Sequence, residues 1–211
     1  MTLSSDDVRL LEHELARIGL LLEHDPELAS ATTLIAGGPI RGSWWGHALG
    51  RRIYAALETF ADGEGALVLK LVNDKRTYVH RSLWPAVLSL VTSEETAHGT
   101  PSSPLAAKLL DLVLEADNVR LDALVASGFA TSQALTKAGR ELESALRVHA
   151  SGLHTESGAH TKLYRSWAAW AKEHGVDPAA APTLARARTS LTAAVERLAA
   201  GASRRPKLTL L

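Results

Sequence analysis

Two β-prone stretches interrupt a chain whose other apolar residues recur at helical spacing, and this mixture restricts the fold more than any other feature. The first stretch is residues 66–80. Ala66–Val72 is rich in Leu and Val, Thr77–His80 is β-prone, and Asn73-Asp74-Lys75-Arg76 between them has turn chemistry. The second is residues 151–165, around Ser157-Gly158. Each reads as a β-hairpin. The remaining apolar residues mark helices at about 4–24, 46–61, 82–91, 104–116, 119–126, 131–148, 167–174 and 180–200. The fold class expected is therefore mainly α with small β-hairpins (α+β).

Punctuation divides this order into blocks. Residues 93–104 are polar and contain Pro101 and Pro104, the best linker in the chain. The expected organisation is a helical unit over residues 1–95, a second unit over 104–175, and a C-terminal helix with a basic tail over 176–211. Residues 104–166 read helix, helix, tight turn, helix, hairpin, the arrangement of a winged helix with its helix-turn-helix core. Residues 46–95 read helix, hairpin, helix. With residues 3–35 they extend the expectation to tandem winged-helix-like units. Leu184, Leu191, Val195 and Leu198 have heptad-like spacing and offer a homodimer seam. Ser203–Lys207 reads as a mobile tail.

Composition narrows the function. Lys+Arg and Asp+Glu are both 23, so the formal net charge is zero. That excludes a globally basic coat, and any nucleic-acid contact must come from a local patch. With no cysteine there are no disulfides, thiolate metal sites or Cys nucleophiles. No apolar run approaches the length of a membrane span. Met1–Asp7 is acidic and polar, unlike a secretory signal. The expectation is a cytoplasmic protein without a membrane partner or cofactor.

In the third helix of the second unit, Leu135, Ala138, Leu142 and Ala145 face inward. Gln133, Lys137, Arg140, Ser144 and Arg147 share the outward stripe. Gln and Arg suit bidentate contacts with base edges, and Lys suits phosphate. Lys162 on the hairpin would add a phosphate contact. A bland alternative is a solvated helix face, with Glu141 and Glu143 as ordinary surface charge.

A second surface is the stretch Arg41-Gly-Ser-Trp-Trp-Gly-His47, continued by Lys70, Lys75, Thr77, His80, Arg81 and Trp84. Successive side chains on a helix differ by about 100°, so Trp44 and Trp45 cannot share one buried face. One tryptophan packs inward and the other is left for a groove, an interface or a nucleobase; alternatively both pack between helix and hairpin.

The string His154-Thr-Glu-Ser-Gly-Ala-His160 raises metal and acid–base chemistry. A two-residue turn at Ser157-Gly158 puts the histidines on opposite sides of the ribbon. A three-residue loop brings His154, Glu156 and His160 together. No fourth ligand is near, and no metal site is assigned. If the chain is a nucleic-acid hydrolase or glycosylase, His47, His80, Glu156 and His160 are its acid–base candidates. Phosphate-binding loops, dinucleotide fingerprints and nucleophile elbows are absent from the sequence.

A family resemblance follows from these residues. Trp44-Trp45, a helix ending Ala56-Leu57-Glu58, a Gly-rich break, a strand, basic residues, Tyr78 and Pro85 are together similar to part of the winged-helix DNA glycosylases of the AlkZ/YcaQ type, which unhook crosslinks. The similarity spans residues 43–85, about a fifth of the chain. It implies a winged-helix architecture and DNA as partner. The DNA expected is double-stranded, or a distorted or unpaired form of it. The family's Gln-x-Gln pair is absent, since Gln133 is the only glutamine, so no catalytic residue carries over. The leading expectation is a DNA-binding protein of repair or transcription control. The others are a nucleic-acid-acting enzyme and a protein-interaction module.

Overall fold

The computed structural model describes residues 3–93, 101–154, 158 and 160–209. The chain divides into two compact units. One comprises Met1–Ala86 with Ala185–Thr209, the other Val87–Leu184. The division therefore falls inside helix α4 (Trp84–Thr92) and at the start of α9 (Leu184–Leu198), rather than in the 93–104 stretch. Residues 185–209 belong to the first unit instead of standing apart.

The first unit runs α1 (Leu3–Ile18), β1 (Leu20–Leu22), α2 (Ala31–Ala36), a 3-10 turn Trp44–Gly46, α3 (Gly50–Ala61), β2 (Ala66–Val72) and β3 (Lys75–His80). The helix expected over 4–24 stops at Ile18 because Gly19 takes φ +90° and donates its N–H to Leu15 O at 2.7 Å. The following Leu20-Leu21-Leu22 is fully buried as a strand paired to β3. Periodicity cannot separate such an apolar run from a buried helix segment. Asn73 (φ 53°) and Asp74 (φ 54°) form a two-residue hairpin turn, so β3 begins two residues before Thr77. Leu67, Leu69 and Leu71 of β2 are buried, and so are Leu11, Leu15, Ile53, Phe60 and Tyr78; α9 buries Leu191, Val195 and Leu198. Three of the four heptad-spaced residues are thus buried, while Leu184 is half-buried.

The C-terminal segment also differs from a mobile tail. Leu208 bridges Val72 on the open edge of β2, Thr209 N donates to Leu71 O at 2.8 Å, and Asn73 N donates to Lys207 O at 2.9 Å. Arg204 reaches Asp25 at 2.9 Å. Covering an edge strand removes a row of unpaired backbone groups.

The second unit repeats the order: α5 (Pro104–Ala116), β4 (Asn118–Arg120), α6 (Leu121–Ala126), α7 (Ser132–Ser144), β5 (His149–His154) and β6 (His160–Arg165), followed by α8 (Trp167–Glu173). Both sheets are antiparallel, with order β1-β3-β2 and β4-β6-β5. Each unit therefore reads helix, strand, helix, helix, strand, strand, with its third strand in the middle. Thr131 caps α7, its Oγ1 accepting from Ala134 N at 3.3 Å. The helix ends at Ser144 rather than near Val148. Leu146, at φ 50°, turns the chain while its buried side chain stays in the core.

His149, only 8% exposed, packs against Trp167 and Trp170 with ring centroids 5.9 and 6.0 Å away. Its Nδ1 has no hydrogen-bond partner. Burial, then the charges of Arg165 and His174, pull its pKa down to about 3. The folded unit thus holds this imidazole neutral, while the unfolded chain protonates it near pH 6.5. Its contribution to stability is complete above pH 6.5 and is lost as pH falls from 6.5 towards 3. At pH 5 the loss is about 2 kcal/mol. Thermal melts should show the second unit weakening between pH 7 and 5, with His149→Phe flattening that slope. An equally steep slope in the variant would assign the effect to other groups.

Candidate nucleic-acid interface

Helix α7 buries Leu135, Ala138 and Leu142 and exposes Gln133, Lys137 and Arg140, as its periodicity predicts. The outward stripe is shorter than expected: Ser144 and Arg147 are half-buried, and Arg147 lies past the helix end. The two acids of α7 are not ordinary surface charge. Glu141 Oε1 accepts from Ser103 N at 3.2 Å and from Ser102 Oγ at 2.9 Å, and also from Ser102 N, at the start of α5. Those bonds hold its pKa below the usual carboxylate range, against the opposing effect of desolvation. Glu143 accepts from Tyr164 Oη at 2.8 Å and from Lys162 Nζ. Both acids are thus bonded to neighbouring elements: the serine donors leave the Glu141 charge in place, while Lys162 offsets that of Glu143.

The same bonds fix the hairpin against α7. Tyr164 on β6 is fully buried and lies directly over Gly139. Lys162, expected on phosphate, is instead paired with Glu143. Its charge is spent on joining β6 to α7. The hairpin register pairs His154 directly with His160, whereas a two-residue turn at Ser157-Gly158 would set His154 opposite Thr161; the segment between lies outside the described residues except Gly158. Glu156 lies outside the described residues, and His160 is exposed. Among the described residues, no group of three or more His, Asp or Glu could hold a metal ion.

In the first unit, His24 Nδ1 accepts from Thr32 Oγ1 at 2.8 Å and its Nε2 donates to Gly42 O at 2.9 Å. The carbonyl can only accept, so Nε2 carries a proton. This bond anchors the loop entering the Trp44–Gly46 turn. Gly50 closes the loop from the other side. Its N–H donates to His47 O at 2.8 Å, and a Cβ there would stand 2.8 Å from Trp45 O. Within this frame Trp44 is 7% exposed and Trp45 63%. The rings stack at 4.3 Å with planes 20° apart, and Tyr54 on α3 lies 5.3 Å from Trp45. One tryptophan is inside and one outside, which selects one of the two arrangements the sequence left open.

The other expected contacts in this unit are divided. Arg41 and Arg81 are exposed, and Lys70 is half-buried on β2. Lys75 pairs with the buried carboxylate of Asp25 at 2.8 Å and shares it with Arg204 at 2.9 Å. His47 Nδ1 accepts from Leu49 N at 3.2 Å. His80 Nδ1 caps the next turn through Ser82 N at 3.4 Å, and burial together with Arg81 lowers its pKa. Each histidine thus uses Nδ1 to close its own local turn.

Sequence reasoning missed Tyr54, Gly139 and Glu143. Gly139 carried a signal, being a glycine inside a strongly amphipathic helix. Tyr54 carried none, because the non-helical segment 46–49 separates its helical phase from Trp45. No family model matches the chain, and neither a curated protein nor a solved structure matches it.

Proposed function

We propose that the second unit is a winged helix that binds double-stranded DNA, with α7 in the major groove and the β5–β6 hairpin as its wing, serving repair or transcription control. One observation carries this reading. The exposed face of α7 presents Gln133, Lys137 and Arg140, while the helix's own acids are bonded to α5 and β6. Gln133 and Arg140 are side chains that read base edges, and Lys137 neutralises phosphate. The element order, repeated in the first unit, supports the winged-helix assignment; the resemblance of residues 43–85 to winged-helix glycosylases concerns the first unit. The face is not repeated with the fold: α3, at the corresponding place in the first unit, exposes Arg51, Ala55, Glu58 and Thr59.

The test is a titration of labelled duplex DNA at several salt concentrations. Lys137→Ala/Arg140→Ala should weaken binding ~10-fold or more and lower the salt slope by about 1–2. Unchanged affinity and slope would remove α7 from the interface. A wild-type protein that binds no duplex at low salt would leave a protein-interaction module, the reading favoured by the zero net charge.

A further inference from the structure

We propose that the first unit carries a separate site for single-stranded DNA, in which unpaired bases stack on Trp45 beside Tyr54 and the backbone lies along Arg51 and Arg41. The choice of DNA as the polymer rests on the duplex reading of the second unit; the site itself does not.

An isolated exposed apolar side chain needs no explanation, but Trp45 is not isolated. It is the open end of a three-ring ledge formed with Trp44 and Tyr54. Trp44 anchors the ledge in the core, and Gly50 lets the Trp45 carbonyl close onto the start of α3. The indole is therefore held in place before any ligand arrives, and little ordering entropy remains to be lost on binding.

The charge around the ledge selects the ligand. Between Glu27 and Glu58 the chain contains no acidic residue, but it contains Arg41, His47, Arg51 and Arg52. Arg52 is consumed by a bidentate pair with the buried Asp7, both contacts at 2.7 Å. Arg41, His47 and Arg51 remain exposed. Arg51 and Tyr54 are three residues apart on α3 and share a face, which places a guanidinium on the Trp45 side of the helix. The nearest acid along that face, Glu58, accepts the Tyr54 hydroxyl. An aromatic face flanked by arginines is the combination that binds single strands without reading sequence: every base has a π-face, and the arginines follow the phosphates. An apolar protein surface would use the ledge but leave the charges of Arg41 and Arg51 unused. A duplex would use the cations but offers no free base face.

The probe is a fluorescein-labelled oligo-dT of about a dozen nucleotides, within the span that such sites cover. It is titrated against the full chain, with anisotropy and tryptophan emission read together. Wild type should bind and lose tryptophan emission, with a salt-dependent affinity. Trp45→Ala should weaken binding ~10-fold or more and abolish most of the quenching, while Trp45→Tyr retains most of the affinity. Because Trp45 is exposed, the variant should fold, and circular dichroism checks this. Arg41→Ala/Arg51→Ala should lower the salt slope with quenching preserved.

Lys137→Ala/Arg140→Ala separates the two sites, since it should leave oligo-dT binding unchanged while weakening the duplex. Trp45→Ala should do the opposite. Oligo-dT binding that is absent in wild type, or equal in Trp45→Ala, overturns the proposal. Tighter binding of an oligo-rU of the same length overturns the choice of DNA.

Discussion

Replacing Asp25 by alanine should cost the first unit about 3–5 kcal/mol, the range for removing one partner of a buried charge network. Asp25 is fully buried. Its Oδ1 accepts from Glu27 N at 2.9 Å and from Leu28 N at 3.0 Å. Its Oδ2 accepts from Lys75 Nζ at 2.8 Å and from Arg204 Nη2 at 2.9 Å. The carboxylate therefore joins three regions distant in sequence: the turn before α2, the start of β3 and the C-terminal segment. Alanine leaves two amides without their acceptor and two cations facing each other. Asparagine keeps an acceptor for the amides and loses the charge, so its cost should fall between the two.

Urea unfolding gives the magnitude, and limited proteolysis should show cleavage in 203–209 before the rest of the unit. An Asp25→Ala protein within about 1 kcal/mol of wild type would mean that the network holds nothing together. Burial by itself would raise the Asp25 pKa, but the bonds from Lys75 and the two amides outweigh it and leave the pKa lowered. A depressed carboxylate stabilises above its unfolded pKa near 3.9, and that contribution disappears as pH falls through the lower folded value. The Asp25 contribution thus survives mild acid, whereas the His149 contribution in the second unit declines from pH 6.5 downward.

Gly139→Ala should destabilise the second unit by about 2–3 kcal/mol, the range for overpacking a well-filled site. Propensity predicts the opposite sign, since glycine inside a helix costs about 1 kcal/mol relative to alanine. Packing decides the outcome. A Cβ at residue 139 would stand 2.0 Å from Tyr164 Oη and 2.6 Å from its Cζ. Tyr164 cannot swing aside, because it is buried and its hydroxyl donates to Glu143 at 2.8 Å.

Desolvation, followed by the Glu143 charge and hydrogen bond, keeps that phenol protonated far above the ordinary tyrosine range. Tyr164→Phe alone should cost about 1.5–3 kcal/mol, as expected for a hydrogen bond to a charged group. Combining it with Gly139→Ala should cost less than the sum, because removing the hydroxyl relieves the closest contact. A rise in melting temperature for Gly139→Ala would show that the close approach does not exist in solution. A fall accompanied by weaker duplex binding would connect this contact to the placement of α7.

Local chemistry made much of the fold readable. The cap at Thr131, the Asn73-Asp74 turn and the apolar faces of α3, α5 and α7 each depend on residues within a few positions of one another. The two short first strands were not readable. Leu20–Leu22 and Asn118–Arg120 are three residues each, too short for a period, and exist because β3 and β6 offer them backbone partners. The α7 face was legible because helical spacing alone puts Gln133, Lys137 and Arg140 together. The loss of Lys75 and Lys162 from the candidate surface was not, since Asp25 and Glu143 lie 50 and 19 residues from them.

By itself the sequence determined the inward and outward faces within the long helices, such as Leu135, Ala138 and Leu142 against Gln133, Lys137 and Arg140, because side-chain direction follows from a fixed backbone period. It left open whether Trp44 and Trp45 both pack, and the tertiary structure buries one and exposes the other. Tertiary structure decided which charges remain available. An ion pair depends on where two distant elements meet, and no local spacing carries that information. It likewise decided that the C-terminal segment closes the first unit: the open edge of β2 and the carboxylate of Asp25 exist only once the hairpin and α2 have packed.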